Sequence, residues 1–266
     1  MLMNQPYLSI AFIGAGNVAT HLSAALSEKG HTICQVFSLT EVSARELAEK
    51  RSCPFTTSLS EVTPNADLYI VSVKDAVLEQ VLPLLVKCNP NALFVHTAGS
   101  VSISVWNGLA QRYGVIYPMQ TFSKQKPVDF TNLPVFIEAN TPTDCQLLKD
   151  LMEGISRKVY QASSEQRRYL HIAAVFACNF SNHMYAICHH LLEKHQLPFE
   201  TMLPLIDETA RKVHTLSPAE AQTGPARRND ENVMKQHLQI LENESDLAEI
   251  YQLISKHINQ SEYDKL

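Results

Sequence analysis

The fold of this chain is decided by the stretch Ser9-Ile-Ala-Phe-Ile-Gly-Ala-Gly-Asn-Val-Ala-Thr-His-Leu-Ser-Ala-Ala-Leu26. A short apolar run ends in a glycine-rich turn, and an alanine-rich segment with helical periodicity follows directly. Gly14 permits a tight turn, Gly16 lets a ligand approach the backbone closely, and Ala19 allows the helix to pack closely on the strand. In this order of strand, turn and helix, a GxGxxA pattern indicates a dinucleotide-binding site.

The start of the predicted helix is suited to an anionic group. The first N–H groups of a helix have no partner within the helix, and the helix dipole places partial positive charge at this end. The predicted pyrophosphate-binding residues are therefore Gly14, Gly16, Asn17, Val18 and Ala19. The alternative is a purely structural turn, because glycine turns join strands to helices in many folds.

Length, composition and charge exclude several classes of protein. The 266 residues allow one large or two ordinary domains, and a hydrophobic fraction of 45% predicts a substantial core. The net charge of −5, without a run of Lys or Arg, predicts no nucleic-acid partner. We see no signal peptide or membrane-spanning run, and the six cysteines form no zinc spacing. We expect a cytoplasmic protein with no metal site and no membrane association.

The first part of the chain alternates short apolar runs with helical patterns. This order predicts a doubly wound α/β (Rossmann) domain with a parallel sheet over residues 1–160. The predicted strands are residues 8–13, 32–37, 68–73, 93–97, 115–117 and 135–138. The predicted helices are residues 18–28, 41–50, 76–86 and 143–154.

After residue 160 the pattern is helical only. Residues 163–195 form one long helical pattern without Gly or Pro, and further patterns cover 199–215, 230–242 and 245–259. We therefore predict an all-helical substrate and dimerisation domain over residues 161–266. Its first helix carries apolar side chains that need a partner, so we expect a homodimer formed through these helices. These side chains are Ile172, Val175, Phe176 and Phe180.

The end of the second predicted strand indicates which dinucleotide binds. In NAD-binding domains an acid at this point bonds the adenosine ribose and disfavours a 2′-phosphate, but no acid stands at this strand tip. Ser38 and Thr40 could donate to a phosphate, and Arg45 could supply positive charge. These residues favour NADP(H) over NAD(H). The alternative is that Ser38 and Thr40 cap the helix that starts at Glu41.

Polar clusters at other strand ends extend the predicted site. We predict that Val73 and His96 line the cofactor, and that Ser100 and Gln120 contact the substrate. They belong to the segments Val71-Ser-Val-Lys-Asp75, His96-Thr-Ala-Gly-Ser100 and Tyr117-Pro-Met-Gln-Thr-Phe122. Asp75 is predicted to cap a helix. Each cluster could instead reflect turn chemistry alone.

Two adjacent arginines are the predicted carboxylate ligands of the helical half. Arg227 and Arg228 lie in Thr223-Gly-Pro-Ala-Arg-Arg-Asn-Asp230 between two helical patterns. A pair of guanidinium groups can bind a carboxylate bidentately. They could equally make surface ion pairs.

The long helix supplies the predicted catalytic residues. His171, Val175, Asn179 and His183 recur every four residues along one helical face. An imidazole titrates near neutrality, so His171 is the predicted general acid, and Asn179 is predicted to hold the substrate oxygen or nitrogen. A core histidine bonded to a carbonyl group is the alternative.

With these motifs, the chain resembles a superfamily of reductases that includes pyrroline-carboxylate reductases, 3-hydroxyisobutyrate dehydrogenases and deazaflavin-dependent NADP reductases. It is most similar to a bacterial branch of Rossmann-like NADP oxidoreductases with segments of the HTAGS, PMQTF and TGPARRND type. The resemblance implies an NADP-type cofactor, a helical second domain and a dimer, but no particular substrate. The superfamily's lysine–asparagine pair for hydroxyacid oxidation is missing around Arg167 and His171.

We therefore expect an NADP(H)-dependent oxidoreductase that transfers hydride to or from a small, anionic carbonyl or imine substrate. Two alternatives stay open at this point. One is a regulatory or scaffold protein that binds NADP(H) without turnover. The other is an NADP reductase that exchanges hydride with a deazaflavin cofactor.

Overall fold

The computed structural model describes residues 7–260, and eight strands form one sheet within them. The strands are β1 (Ser9–Ile13), β2 (Thr32–Phe37), β3 (Phe55–Thr56), β4 (Leu68–Val71), β5 (Leu93–His96), β6 (Arg112–Pro118), β7 (Val135–Ala139) and β8 (Val159–Gln161). Their order across the sheet is β3-β2-β1-β4-β5-β6-β7-β8. Because β2 and β4 lie on opposite sides of β1, the order reverses there, and such a reversal creates a ligand crevice at the carboxyl ends of the strands.

Helices cover both faces of the sheet, as the doubly wound fold requires. They are α1 (Asn17–Glu28), α2 (Glu41–Arg51), α3 (Asp75–Leu85) and α4 (Pro142–Glu153). Successive residues of a strand point to opposite faces. Ile10 and Phe12 accordingly pack in one apolar cluster with α1 and α4, whereas Ala11 and Ile13 pack in a second cluster with α3. The predicted α/β fold with a helical C-terminal region is confirmed.

The sheet differs from the prediction at its edges. Strand β7 runs antiparallel to β6, so the sheet is not parallel throughout, and β8 then pairs with β7 in parallel. The two short strands β3 and β8 lie outside the predicted set. An apolar run shows that a strand is buried but carries no sign of its direction, and runs of two or three residues are too short to show a period.

The chain divides into two compact units, Met1–Asn179 and Phe180–Leu266. The predicted boundary after residue 160 lies before α5 (Ser164–Ala174). In the structure, α5 belongs to the first unit and buries Arg167 there. A capping box at Ser163 and Gln166 starts α5. A π-helical segment, Val175–Phe180, interrupts the predicted long helix, and α6 (Ser181–Lys194) follows it.

The elements that follow α6 are all helical, as predicted. They are a short 3₁₀ helix at Phe199–Met202 and the helices α7 (Leu203–Lys212), α8 (Pro218–Ala221), α9 (Glu231–Ile240) and α10 (Ser245–Gln260). No helix among residues 7–260 is both long enough and apolar enough to cross a bilayer.

Candidate functional site

The glycine turn after β1 is fixed by the ends of two neighbouring strands. Gly14 has a φ of +110°, and its N–H donates to the carbonyl of Phe37 over 2.7 Å. A Cβ atom at Gly14 would lie 2.4 Å from the carbonyl oxygen of Ser72, so no other residue fits without a shift of backbone. Gly14 is therefore required by the fold itself.

Gly16 is different, because the protein does not need a glycine there for its own packing. A Cβ atom at Gly16 would lie 4.0 Å from the Ser72 carbonyl oxygen, an unstrained distance, and the residue is exposed. Gly16 is also the N-cap of α1, where no side chain satisfies the first N–H groups. Ala19, in the first turn of α1, is fully buried. An accessible, uncapped helix start over a buried alanine fits a pyrophosphate group.

The segment after β6 folds onto the start of α1. Asn17 Nδ2 donates to the carbonyl of Phe122 over 2.8 Å, and His21 Nε2 donates to the carbonyl of Ser123 over 2.8 Å. The rings of His21 and Phe122 stack with centroids 5.7 Å apart. The Asn17 side chain is thus committed to this segment, which leaves its backbone N–H for the predicted cofactor contact. His21 was not among the predicted site residues.

Ser38, Thr40 and Arg45 lie where β2 leads into α2. Thr40 is the N-cap of α2, yet its side chain makes no capping hydrogen bond, so capping does not account for this hydroxyl. Arg45 pairs with Glu41 one turn earlier and lies 5.6 Å from the ring centroid of Phe55. Both members of the ion pair are more than half exposed, and exposed pairs of this kind are weak.

His96 is a core residue, contrary to the expectation that its side chain lines the cofactor. The ring is fully buried, is stacked on Trp106, and accepts a hydrogen bond at Nδ1 from the N–H of Ala98. Burial and then the charge of Arg167 lower the pKa of His96 to about 3, although a hydrogen bond with the Ser102 backbone opposes them. Any contact of His96 with the cofactor would have to use its backbone.

The loop after β5 is tied to the start of α3. Ser100 Oγ donates to the carboxylate of Asp75, and Thr97 Oγ1 donates to Ser72 Oγ over 3.1 Å. Asp75 is the first residue of α3 and Lys74 is its N-cap, so the prediction that Asp75 caps the helix was wrong. The predicted contacts of Val73 with the cofactor and of Ser100 with the substrate stay predictions.

Arg167 is a buried charge that the sequence did not reveal as part of the site. Its guanidinium donates to the carbonyls of Ala98 and Val101 over 3.1 and 2.9 Å, and to Glu138 Oε2 over 2.7 Å. Ser164 completes the group, since its hydroxyl donates to the same Glu138 oxygen over 2.8 Å. Arg167 therefore holds the loop after β5, strand β7 and helix α5 together.

Next to this network, Tyr117 and His171 meet. The Tyr117 hydroxyl lies 3.4 Å from His171 Nδ1, and both residues are partly exposed. A Cβ atom at Gly99 would lie 2.6 Å from Cζ of the Tyr117 ring, so the tyrosine rests directly on the loop backbone. The alternative that His171 is a core residue bonded to a carbonyl does not fit these contacts. Tyr117 was not a predicted site residue.

The other predicted site residues are exposed. Asn179 lies within the π-helical segment, where the wider turn changes the side-chain spacing assumed for an α-helix. The Gln120 side chain accepts from the N–H of Thr121 over 2.8 Å. Arg227 and Arg228 form no ion pair with any residue in the described part of the chain.

No group of three or more His, Cys, Asp or Glu side chains between residues 7 and 260 could hold a metal ion.

Comparisons with known proteins bear on this geometry. A solved structure from Bacteroides fragilis, described as a candidate NADP oxidoreductase, is 54% identical, with 96% of this chain and 99% of that chain covered and a TM-score of 0.93. A family model described as "NADP oxidoreductase coenzyme F420-dependent" matches residues 9–100, and a domain of unknown function, DUF2520, matches residues 133–258. At this identity and coverage, the chain belongs to the same family of Rossmann-type NADP oxidoreductases as the Bacteroides fragilis protein. The predicted enzyme class is confirmed.

More distant structures share the fold. Pyrroline-5-carboxylate reductase from Coxiella burnetii is 18% identical, with a TM-score of 0.58 over 96% of this chain and 100% of that one. Imine reductase from Myxococcus stipitatus, solved with NADP⁺, is 15% identical, with a TM-score of 0.65 over 94% of each chain. No curated protein matches the chain.

The buried His96 makes the stability of this oxidoreductase sensitive to acid. The unfolded side chain binds a proton near pH 6.5, whereas the folded one has a pKa of about 3. Between these values the unfolded state binds more protons, so the free energy of unfolding falls as the pH falls. From pH 6.5 to pH 5, we expect His96 to account for a loss on the order of 2 kcal/mol.

The measurement is urea unfolding at several pH values, followed by the fluorescence of Trp106, the single tryptophan. His96→Asn keeps an acceptor near the position of Nδ1 but does not titrate, so its stability should depend less steeply on pH than that of the wild type. His195→Asn, at an exposed position, is the matched control. Equal slopes for the wild type and His96→Asn would contradict the prediction.

Proposed function

We propose that this oxidoreductase transfers hydride between NADP(H) and a small, anionic carbonyl or imine compound. The observation that carries the proposal is the uncapped start of α1, where Gly14 is required by the fold but Gly16 is not. A glycine without a packing reason, at a helix start that offers free N–H groups, fits close approach of a pyrophosphate. The family assignment supports the same cofactor.

The 2′-phosphate of NADP(H) is assigned to Ser38, Thr40 and Arg45. The hydroxyl of Thr40 is not used to cap α2, and within residues 7–260 the exposed Glu41 is the only ion-pair partner of Arg45. A phosphate carries more charge than a carboxylate and accepts several hydrogen bonds, so it can compete with Glu41 for the guanidinium.

Binding of the two dinucleotides tests this assignment. We expect the wild type to bind NADPH more tightly than NADH, and Arg45→Ala to weaken NADPH binding about 10- to 100-fold, since a charge-assisted hydrogen bond contributes about 1.5–3 kcal/mol. NADH binding should change little. Lys50→Ala removes the same charge from the exposed last turn of α2 and is the control. Tighter NADH binding by the wild type would contradict the assignment.

Proton transfer is assigned to His171, and the substrate oxygen or nitrogen to Asn179. When bound, NADPH would supply the hydride for the carbon of the C=O or C=N group. The partly exposed His171 ring can reach solvent and can donate a proton to the atom that gains the electron pair. The roles of Ser100, Gln120, Arg227 and Arg228 in substrate binding stay predictions from the sequence, as does the cytoplasmic location.

A panel of anionic carbonyl and imine compounds tests the reaction. With a substrate found, we expect His171→Ala to lower kcat about 10²- to 10⁴-fold, the usual contribution of a general acid, with NADPH binding retained. His189→Ala, at an exposed histidine of α6, is the control. Unchanged turnover in His171→Ala would contradict this role. NADPH binding without any turnover would favour a regulatory protein, and oxidation only with a deazaflavin would favour the exchange that the F420-dependent family model suggests.

We also propose that the helical unit forms a homodimer. Among its described residues, 180–260, Ala226 and Leu241 are the only buried ones, whereas Leu205, Ile240 and Leu253 are at least 62% exposed. An apolar groove of about 280 Å³ lies between α6, α10 and the loop of residues 223–226. A unit with so little core of its own fits association with a second copy, which would bury these side chains.

Light scattering coupled to gel filtration tests the dimer. We expect the wild type to elute with twice the chain mass, and Leu253→Lys to shift the equilibrium toward the monomer because the introduced charge opposes burial. Gln252→Lys introduces the same charge at the preceding exposed position of α10 and serves as the control. A monomeric wild type at micromolar concentration would overturn the proposal.

A further inference from the structure

Tyr117 is held in place more firmly than a surface tyrosine would be. It is the penultimate residue of β6, and its ring lies against the backbone of Gly99 in the loop after β5. Its ring also packs near Phe136 of β7, with centroids 6.4 Å apart. The absence of a side chain at residue 99 provides the space that the ring occupies, since a Cβ atom would lie 2.6 Å from it.

The tyrosine presents its hydroxyl to one atom of His171. The Oη–Nδ1 distance is 3.4 Å, and the two rings meet edge-on with centroids 6.3 Å apart. Among the described residues, no other hydrogen bond involves the His171 ring. The helix carrying His171 is fixed on this side by the buried Arg167, one turn earlier. Tyr117 is therefore held by its packing on Gly99, and His171 is held by the bonds that Arg167 makes from the same helix.

We propose that Tyr117 is a positioning residue that accepts a hydrogen bond from Nδ1–H of His171 and so leaves Nε2 as the atom that exchanges a proton with the substrate. This inference rests on the proposed role of His171. Which nitrogen of a histidine carries the proton is set by the bond that the other nitrogen makes. A phenolic oxygen can accept from Nδ1–H both in the imidazolium and in the neutral ring that remains after transfer.

The proton and electron balance follows from this arrangement. NADPH, when bound, would supply the hydride for the substrate carbon and leave as NADP⁺, and the π electrons of the C=O or C=N bond would move to the oxygen or nitrogen. That atom forms its new bond to the proton from Nε2 of the imidazolium. His171 is left neutral with its remaining proton on Nδ1, still bonded to Tyr117, and solvent restores the proton at Nε2.

The environment of Tyr117 keeps its hydroxyl neutral. Burial raises the pKa of Tyr117 above its ordinary value, and the nearby Arg167 opposes this rise. A protonated phenol accepts the hydrogen bond without adding a counter-charge beside the imidazolium, so the ring is oriented but the proton at Nε2 is not held back by an ion pair.

The test uses ¹⁵N chemical shifts of labelled histidines, which distinguish the two neutral tautomers of His171. We expect the wild type to hold the proton on Nδ1, and Tyr117→Phe to shift the ring toward the tautomer with the proton on Nε2. Tyr113→Phe is the matched control, because it removes the same group from the same strand, where the hydroxyl bonds Asn107 over 2.9 Å. The same tautomer in the wild type and in Tyr117→Phe would overturn the proposal.

Kinetics with a substrate from the panel give a second readout. We expect Tyr117→Phe to lower kcat by about 10- to 100-fold, as misplacement of a catalytic group does, with KM for NADPH unchanged. Gly99→Ala keeps the hydroxyl but displaces the ring, so it should act in the same direction. If His171→Ala retains turnover, the proposed function fails, whereas the tautomer comparison still decides whether Tyr117 positions His171.

Discussion

The candidate site depends on one buried interaction, the ion pair between Arg167 and Glu138. A guanidinium removed from water loses several kcal/mol of solvation, which is regained only if its donors are well bonded. The two terminal nitrogens of Arg167 meet this condition, since Nη1 donates to two backbone carbonyls and Nη2 donates to the Glu138 carboxylate and the Ser164 hydroxyl, whereas the buried Nε has no partner among the described residues. Its bonds join three segments that are distant in sequence, and helix α5 cannot move without breaking them. The position of His171 follows from that constraint.

The sequence was sufficient for the part of the fold that depends on periodicity. The strand–turn–helix unit at Gly14, the alternation of strands and helices, and the helical C-terminal region follow from apolar patterns that buried elements must have. The reversed direction of β7 does not, because Val135–Ala139 has the same apolar pattern in either direction and the segment before it is long enough for either connection. The π-helical segment at Val175–Phe180 was predicted as α-helix because its apolar pattern does not show the one wider turn.

The candidate site was only partly predictable, and the reasons differ between residues. Gly14 and Gly16 belong to a motif in which spacing reflects mechanism. Tyr117 stands in a segment whose residue types are typical of a turn. Its importance comes from its contacts with Gly99 and His171, which are close to it only in the tertiary structure. Arg167 resembles any charged residue in the first turn of a helix. No local pattern distinguishes a fully buried arginine from an exposed one such as its neighbour Arg168.

His96 and His171 were both predicted as site residues, but their surroundings in the structure give them different roles. His96 is enclosed between Trp106 and the loop backbone, near a positive charge, so it stays neutral and contributes to packing. His171 lies one helical turn beyond Arg167 on the same face of α5, but it is partly exposed and has the Tyr117 hydroxyl near Nδ1. Burial, with a smaller contribution from the guanidinium, keeps the His96 ring neutral, and the bonds of Arg167 fix the helix that carries His171.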